Sequence, residues 1–70
     1  MSDPLLTNQK IDIAVLYVED EPATRETVSA MLERQIKTVY RAADGKEGLS
    51  VFKARRPEVV ITDIRMPVMG

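Results

Sequence analysis

Continuous apolar runs alternate along this chain with segments in which apolar residues recur every three or four positions. The unbroken runs are Ile13–Val18 and Val59–Ile61, and Lys37–Ala42 between them is rich in residues that favour strands. Short runs of this kind are typical of strands that are covered on both faces, as in parallel sheets. Val28 and Leu32 instead show helical spacing. The pattern therefore predicts the order β-α-β-α-β.

Residues that favour helix ends mark the two predicted helices. Pro22 suits the first helical position, where a missing N–H costs nothing. Asp44 and Glu47 have the spacing of a capping box at the start of the second helix. Pro57 is expected to end that helix, because the residue before a proline avoids the helical region. Both helices are long enough to serve as right-handed crossovers between parallel strands.

The second predicted helix carries a short apolar stripe. Gly48, Leu49 and Phe52 are predicted to form its buried face. A glycine in that stripe would let the helix approach the sheet closely, because it has no Cβ.

Composition narrows the possible chemistry. The 70 residues include no cysteine and no histidine, and the formal net charge is −1. A disulfide framework and a thiolate zinc site are excluded, so a metal site must use oxygen ligands suited to a hard cation. The sequence contains no cluster of basic residues, so nothing in it indicates a nucleic acid or a membrane surface as a partner. Residues 1–10 are read as a polar, flexible lead-in without a signal sequence, and a cytoplasmic location is expected.

Acidic residues follow two of the predicted strands. Glu19 and Asp20 come directly after the first strand, and Asp63 ends the third. Ligands of open parallel sheets bind beyond the carboxyl ends of the strands, so these carboxylates converge if the two strands are neighbours. Repelling carboxylates held together indicate a bound cation, for which Mg²⁺ is the natural candidate. The alternative is structural, since Asp20 or Glu21 could simply cap the first helix.

Three motifs resemble the receiver domains of two-component response regulators. They are Val-Glu-Asp-Glu-Pro at 18–22, Ala-Ala-Asp-Gly-Lys-Glu-Gly-Leu at 42–49, and Pro-Glu-Val-Val-Ile-Thr-Asp-Ile-Arg-Met-Pro-Val-Met-Gly at 57–70. The resemblance covers residues 13–70. It implies a flavodoxin-like (CheY-like) doubly wound α/β fold, here limited to its first three strands and two helices.

The resemblance also implies a function and a set of site residues. Asp63 would accept a phosphoryl group from a histidine kinase or a phosphotransfer protein. Asp20, Asp63 and the backbone carbonyl of Arg65 would coordinate Mg²⁺, and Glu19 would contribute through water. Such a domain is a phosphoacceptor module of a phosphorelay and not an enzyme.

Length is where the sequence departs from the family pattern. A full receiver continues through two more strands and three more helices, which supply a Ser/Thr and a Lys to the site, so the domain at 11–70 is expected to be incomplete at its C-terminus. Phosphorylation by small donors is then expected to be slow or undetectable, and specific to Asp63 where it occurs. The alternative function is a phosphorylation-incompetent fragment that acts only as an assembly unit. An uncovered third strand would favour self-association through its edge.

Two enzyme classes fit the residues poorly. Phosphatases of the haloacid dehalogenase type place Asp-x-Asp after the first strand, where this chain has Glu19, Asp20 and Glu21. A dinucleotide-binding enzyme needs a Gly-x-Gly-x-x-Gly sequence after a strand, and none is present.

Overall fold

The computed structural model describes residues 9–62, which form three parallel strands and two helices. Their order is β-α-β-α-β, as predicted. The predicted strand and helix positions are confirmed to within about two residues at the ends, the usual scatter of such boundaries. The elements are β1 (Ile11–Val18), α1 (Pro22–Glu33), β2 (Ile36–Ala42), α2 (Gly45–Arg55) and β3 (Val59–Thr62).

The sheet has the strand order β2-β1-β3, so β1 lies at its centre. Val18 at the end of β1 is paired with Ala42 of β2 and with Thr62 of β3. The carboxyl ends of the three strands are therefore level. The second half of β1, from Val15 to Val18, is buried, which explains why this segment is apolar without alternation.

Helix α1 begins as predicted at Pro22, with Glu21 as the N-cap residue. The side chain of Glu21 makes no capping hydrogen bond, and Asp20 makes none with any described residue. The alternative reading of these acids as helix caps is therefore wrong. Ser29 on the inner face of α1 is fully buried, and its Oγ has no hydrogen-bond partner within residues 9–62.

The capping box of α2 is confirmed. The Glu47 amide donates to Asp44 Oδ1 over 2.8 Å. The Glu47 carboxylate reaches back and accepts from the amide of Ala43, also over 2.8 Å. The helix ends at Arg55, and Arg56 after it has a left-handed backbone with φ of 52° before Pro57. Its amide donates to the Phe52 carbonyl over 2.8 Å, which closes the last turn.

Helix α2 packs on β1 and β2, against Val18 and Ala42. Gly48 is buried there, as predicted. The prediction that Leu49 and Phe52 are buried is wrong, because these side chains are 54% and 41% exposed. They extend along a groove toward Val60, beyond the part of the sheet that α2 covers.

Strand β3 is the least covered element among residues 9–62. Within these residues, β3 packs against β1 and against no other helix or strand. All four of its residues are exposed. Val60 and Thr62 face the same side as α2, and Val59 and Ile61 therefore face the side of α1, because side chains alternate along a strand.

Candidate functional site

The loop from Glu19 to Glu21 leaves the sheet at the level carboxyl ends of the strands. It follows Val18 directly, and the Glu19 amide donates to the carbonyl of Ala42 over 3.0 Å. This hydrogen bond to the last residue of β2 therefore fixes where the loop begins. The loop leads straight into α1, so its residues lie where ligands bind in open parallel sheets.

The Glu19 side chain is turned into the protein. Glu19 is only 5% exposed. Its Oε1 accepts from the Tyr17 hydroxyl over 3.3 Å, and its Oε2 accepts from the Glu21 amide over 3.2 Å. Both carboxylate oxygens thus have protein donors, and the side chain holds the loop against the end of β1.

Arg25 of α1 also holds this loop. Its Nη1 donates to the backbone carbonyl of Glu19 over 2.7 Å. This is a short bond with a charged donor, the stronger class of hydrogen bond. The Arg25 amide also donates to the Glu21 carbonyl over 2.8 Å as the first hydrogen bond of α1. One residue of α1 therefore fixes two carbonyls of the loop.

Asp20 lies between these fixed residues and differs from both of them. Its side chain is exposed and makes no hydrogen bond or ion pair within the described part of the chain. The backbone on either side is held by Glu19 and Arg25. The loop therefore presents the open carboxylate of Asp20 on a fixed backbone, next to the exposed side chain of Glu21. An oxygen ligand of this kind suits Mg²⁺.

Asp63 and Arg65, the other predicted site residues, lie outside the described residues. Thr62, which precedes Asp63 in the sequence, is the partner of Val18, which precedes Glu19. Within residues 9–62 no group of three acidic side chains is gathered as a metal site. Of the predicted metal ligands, the structure describes only Asp20, whose carboxylate is open, and Glu19, whose carboxylate oxygens already accept hydrogen bonds.

Two residues of the site were not predicted from the sequence. Tyr17 and Arg25 support the acidic loop, but neither is part of a motif that sequence reasoning singles out. The only available signal was their spacing. Tyr17 lies two residues before Glu19 on the same side of β1, and Arg25 lies one helical turn after Glu21.

The parallel sheet with helices on its two faces and acids beyond the carboxyl ends defines a flavodoxin-like α/β domain. The family model described as response regulator receiver domain matches residues 15–70. The chain therefore belongs to the receiver domain family of response regulators, as the motifs indicated.

Similar proteins agree with this assignment. A protein-glutamate methylesterase/protein-glutamine glutaminase 1 from Myxococcus xanthus is 43% identical over 60 residues, which is 83% of this chain and 17% of that protein. The transcriptional regulatory protein CseB from Streptomyces avermitilis is 40% identical over 53 residues, 76% of this chain and 23% of that protein. The chain thus spans less than a quarter of the length of either relative.

A solved structure supports the fold directly. The N-terminal domain of an uncharacterized protein from Wolinella succinogenes matches with a TM-score of 0.74 and 41% sequence identity. The match covers 83% of this chain and 47% of that one. Among the described residues, neither helix is long and apolar enough to cross a membrane.

Proposed function

We propose that this receiver accepts a phosphoryl group on Asp63 from a histidine kinase or a phosphotransfer protein. The observation that carries the proposal is the pairing of Val18 with Thr62, because the residues that follow are Glu19 and Asp20 on one strand and Asp63 on the other. In this reaction an oxygen of the Asp63 carboxylate bonds to phosphorus while the bond from phosphorus to the donor breaks. The chain acts as a cytoplasmic signalling module and not as an enzyme.

The same proposal assigns a Mg²⁺ site. Asp20 and Asp63 supply carboxylate oxygens, Arg65 supplies its backbone carbonyl, and Glu19 contributes through water. The exposed Asp20 carboxylate on a fixed backbone supports this assignment. Bound Mg²⁺ supplies charge neutralisation for the phosphoryl oxygens, and the role of the chain is to hold its ligands in position.

Mass spectrometry after incubation with acetyl phosphate and Mg²⁺ tests the phosphoryl transfer. We expect slow labelling with at most one added phosphoryl group, located on Asp63 and absent from Asp63→Asn. Asp44→Asn is the matched control, because it removes one acidic charge but keeps a good cap for α2. Labelling that persists in Asp63→Asn contradicts the proposal.

A Mg²⁺ titration followed by backbone amide signals tests the metal site separately. We expect shifts centred on residues 19–21, which Asp20→Asn abolishes and Asp44→Asn leaves in place. Equal titrations in wild type and Asp20→Asn would show that the ion binds elsewhere.

The second candidate function is that of an assembly unit that accepts no phosphoryl group. The observation in its favour is the uncovered β3, whose four residues are all exposed. This function predicts association that does not depend on Mg²⁺ or on acetyl phosphate. Loss of association on adding either reagent would count against it.

A further inference from the structure

The buried carboxylate of Glu19 is oriented by two donors but is not fully occupied by them. Within residues 9–62 each of its oxygens accepts one hydrogen bond, from the Tyr17 hydroxyl over 3.3 Å and from the Glu21 amide over 3.2 Å. A carboxylate can accept about four hydrogen bonds, so each oxygen keeps a position for a further donor such as water. The two protein donors therefore set the direction of the carboxylate and leave it able to act on a ligand.

These three groups form a short chain of hydrogen bonds that passes around Asp20. The hydroxyl of Tyr17 on β1 donates to the Glu19 carboxylate, which in turn accepts from the Glu21 amide. That amide belongs to the peptide bond that joins Asp20 to Glu21. A fixed amide at this place also fixes the backbone that carries the Asp20 side chain. The hydroxyl of Tyr17 thereby acts, through Glu19, on the peptide that follows Asp20.

Tyr17 is a suitable anchor because its own position is fixed. Tyr17 is 5% exposed and lies in the central strand, where it is paired with Arg41 of β2 and with Ile61 of β3. A tyrosine has only two side-chain torsions, so burial of the ring leaves the hydroxyl little freedom. The hydroxyl of a buried tyrosine usually has a hydrogen-bond partner, and here the carboxylate of Glu19 is one such partner.

We propose that Tyr17 is a positioning residue of the Mg²⁺ site and that it acts by orienting the Glu19 carboxylate. This inference rests on the proposed function, in which Asp20 is a direct ligand and Glu19 contributes through water. Groups that hold a metal ligand from outside commonly contribute roughly 10–100-fold to metal affinity. Tyr17 provides this support at Glu19 Oε1, which no other donor within residues 9–62 reaches.

The choice of ion is expected to depend on Tyr17 as well as the affinity. Mg²⁺ requires near-ideal octahedral geometry, whereas Ca²⁺ accepts about six to eight oxygen ligands in flexible arrangements. A loosened Glu19 carboxylate should therefore impair Mg²⁺ binding more than Ca²⁺ binding. A merely structural role of Tyr17 would lower stability or weaken both ions equally. The ratio of the two dissociation constants thus separates a positioning role from a structural one.

Titrations with Mg²⁺ and with Ca²⁺, followed by the backbone amide signals of residues 19–21, test this role. For Tyr17→Phe we expect the Mg²⁺ dissociation constant to rise about tenfold and the Ca²⁺ dissociation constant to rise about threefold or less. Tyr40→Phe is the matched control, because Tyr40 packs against the core on the α2 side, under Arg55. It should leave both constants unchanged. Circular dichroism of each variant confirms that the fold is retained.

The outcomes separate this inference from the proposed function. A wild type without a Mg²⁺ response, or an unchanged response in Asp20→Asn, overturns the metal site and the role of Tyr17 with it. A wild-type response that Asp20→Asn abolishes and Tyr17→Phe leaves unchanged overturns the role of Tyr17 alone. Equal weakening of both ions in Tyr17→Phe also overturns that role, and so does tighter Mg²⁺ binding, which would show that the hydroxyl competes with the ion.

Amide hydrogen exchange without any metal tests the route through Glu19. Tyr17→Phe should speed exchange of the Glu21 amide severalfold, because this amide donates to the carboxylate that Tyr17 orients. In Glu19→Leu the acceptor is absent, so adding Tyr17→Phe should cause no further change. The same comparison in Glu19→Ala guards against a misfolded Glu19→Leu. An equal acceleration by Tyr17→Phe with and without the Glu19 carboxylate overturns the proposed route.

Discussion

Gly48 lies directly against Val18. A Cβ atom at position 48 would be 3.0 Å from Val18 Cγ2 and 3.8 Å from the Cβ of Ala42. Val18 is the last residue of β1, immediately before Glu19. The absence of a side chain at position 48 therefore sets how closely α2 approaches the end of the sheet where the acidic loop begins.

Gly48→Ala is expected to lower the free energy of unfolding by about 1 kcal/mol. Overpacking costs roughly 1–3 kcal/mol, which exceeds the gain of about 1 kcal/mol in helix propensity. Val18 is buried and β-branched, so it has little freedom to move away. Gly45→Ala is the matched control, because Gly45 is exposed and has no positive φ. Urea unfolding that shows equal effects for both variants contradicts the expectation.

Ser29→Ala is expected to raise the free energy of unfolding by about 1 kcal/mol. The Ser29 Oγ is buried without a hydrogen-bond partner in the part of the chain that the structure describes, and an unsatisfied buried polar group costs roughly 1–3 kcal/mol. Part of any gain comes from the higher helix propensity of alanine. Ser50→Ala in α2 isolates that part, because Ser50 is exposed. Thermal or urea unfolding should show the larger gain for Ser29→Ala.

Arg56→Gly is expected to stabilise the end of α2. Arg56 has a φ of 52°, and the left-handed region costs an ordinary residue roughly 1–2 kcal/mol. Glycine adopts this region without strain but loses more entropy on folding, so a net gain of about 0.5–1 kcal/mol is expected. Arg56→Ala removes the same charge and keeps the strain. A midpoint of urea unfolding that is raised equally by both variants would assign the effect to charge instead.

Arg25→Gln is expected to loosen the acidic loop. It shortens the side chain and removes the charged donor of the 2.7 Å hydrogen bond to the Glu19 carbonyl. We expect a loss of stability of about 1 kcal/mol, since Arg25 is only partly buried. Amide hydrogen exchange of Asp20 and Glu21 should become faster, whereas Lys37→Gln on β2 should leave it unchanged. Unchanged exchange at both residues would show that Glu19 alone fixes the loop.

Sequence reasoning succeeded where the cause of a structure is local. Pro22 correctly predicted the start of α1, and Asp44 with Glu47 correctly predicted the start of α2. Both predictions succeed because helix caps act over three or four residues. The doubly wound fold that the family resemblance implied is also confirmed, and in it β1 and β3 are neighbours. The resulting juxtaposition of strand ends is seen directly in the pairing of Val18 with Thr62.

The predictions failed where a result depends on packing over long distances. Periodicity identifies the apolar residues of α2 but cannot say which neighbour covers them, so Leu49 and Phe52 were assigned to the core although they are exposed. The support of the acidic loop by Tyr17 and Arg25 was missed for a related reason. It depends on the orientation of side chains around a turn, and no motif encodes that orientation.

The central position of β1 has a consequence for how the domain opens. Among residues 9–62, both helices pack on β1 and on β2, and β2 pairs with β1, whereas β3 packs against no helix or strand other than β1. Detaching β3 therefore breaks one ladder and leaves the rest of the packing in place. Native-state hydrogen exchange should show β3 as a separate, low-energy unit, with β1 and β2 opening only in global unfolding. On this expectation, Thr62 belongs to the unit that opens first, whereas Asp20 is anchored to the unit that opens last.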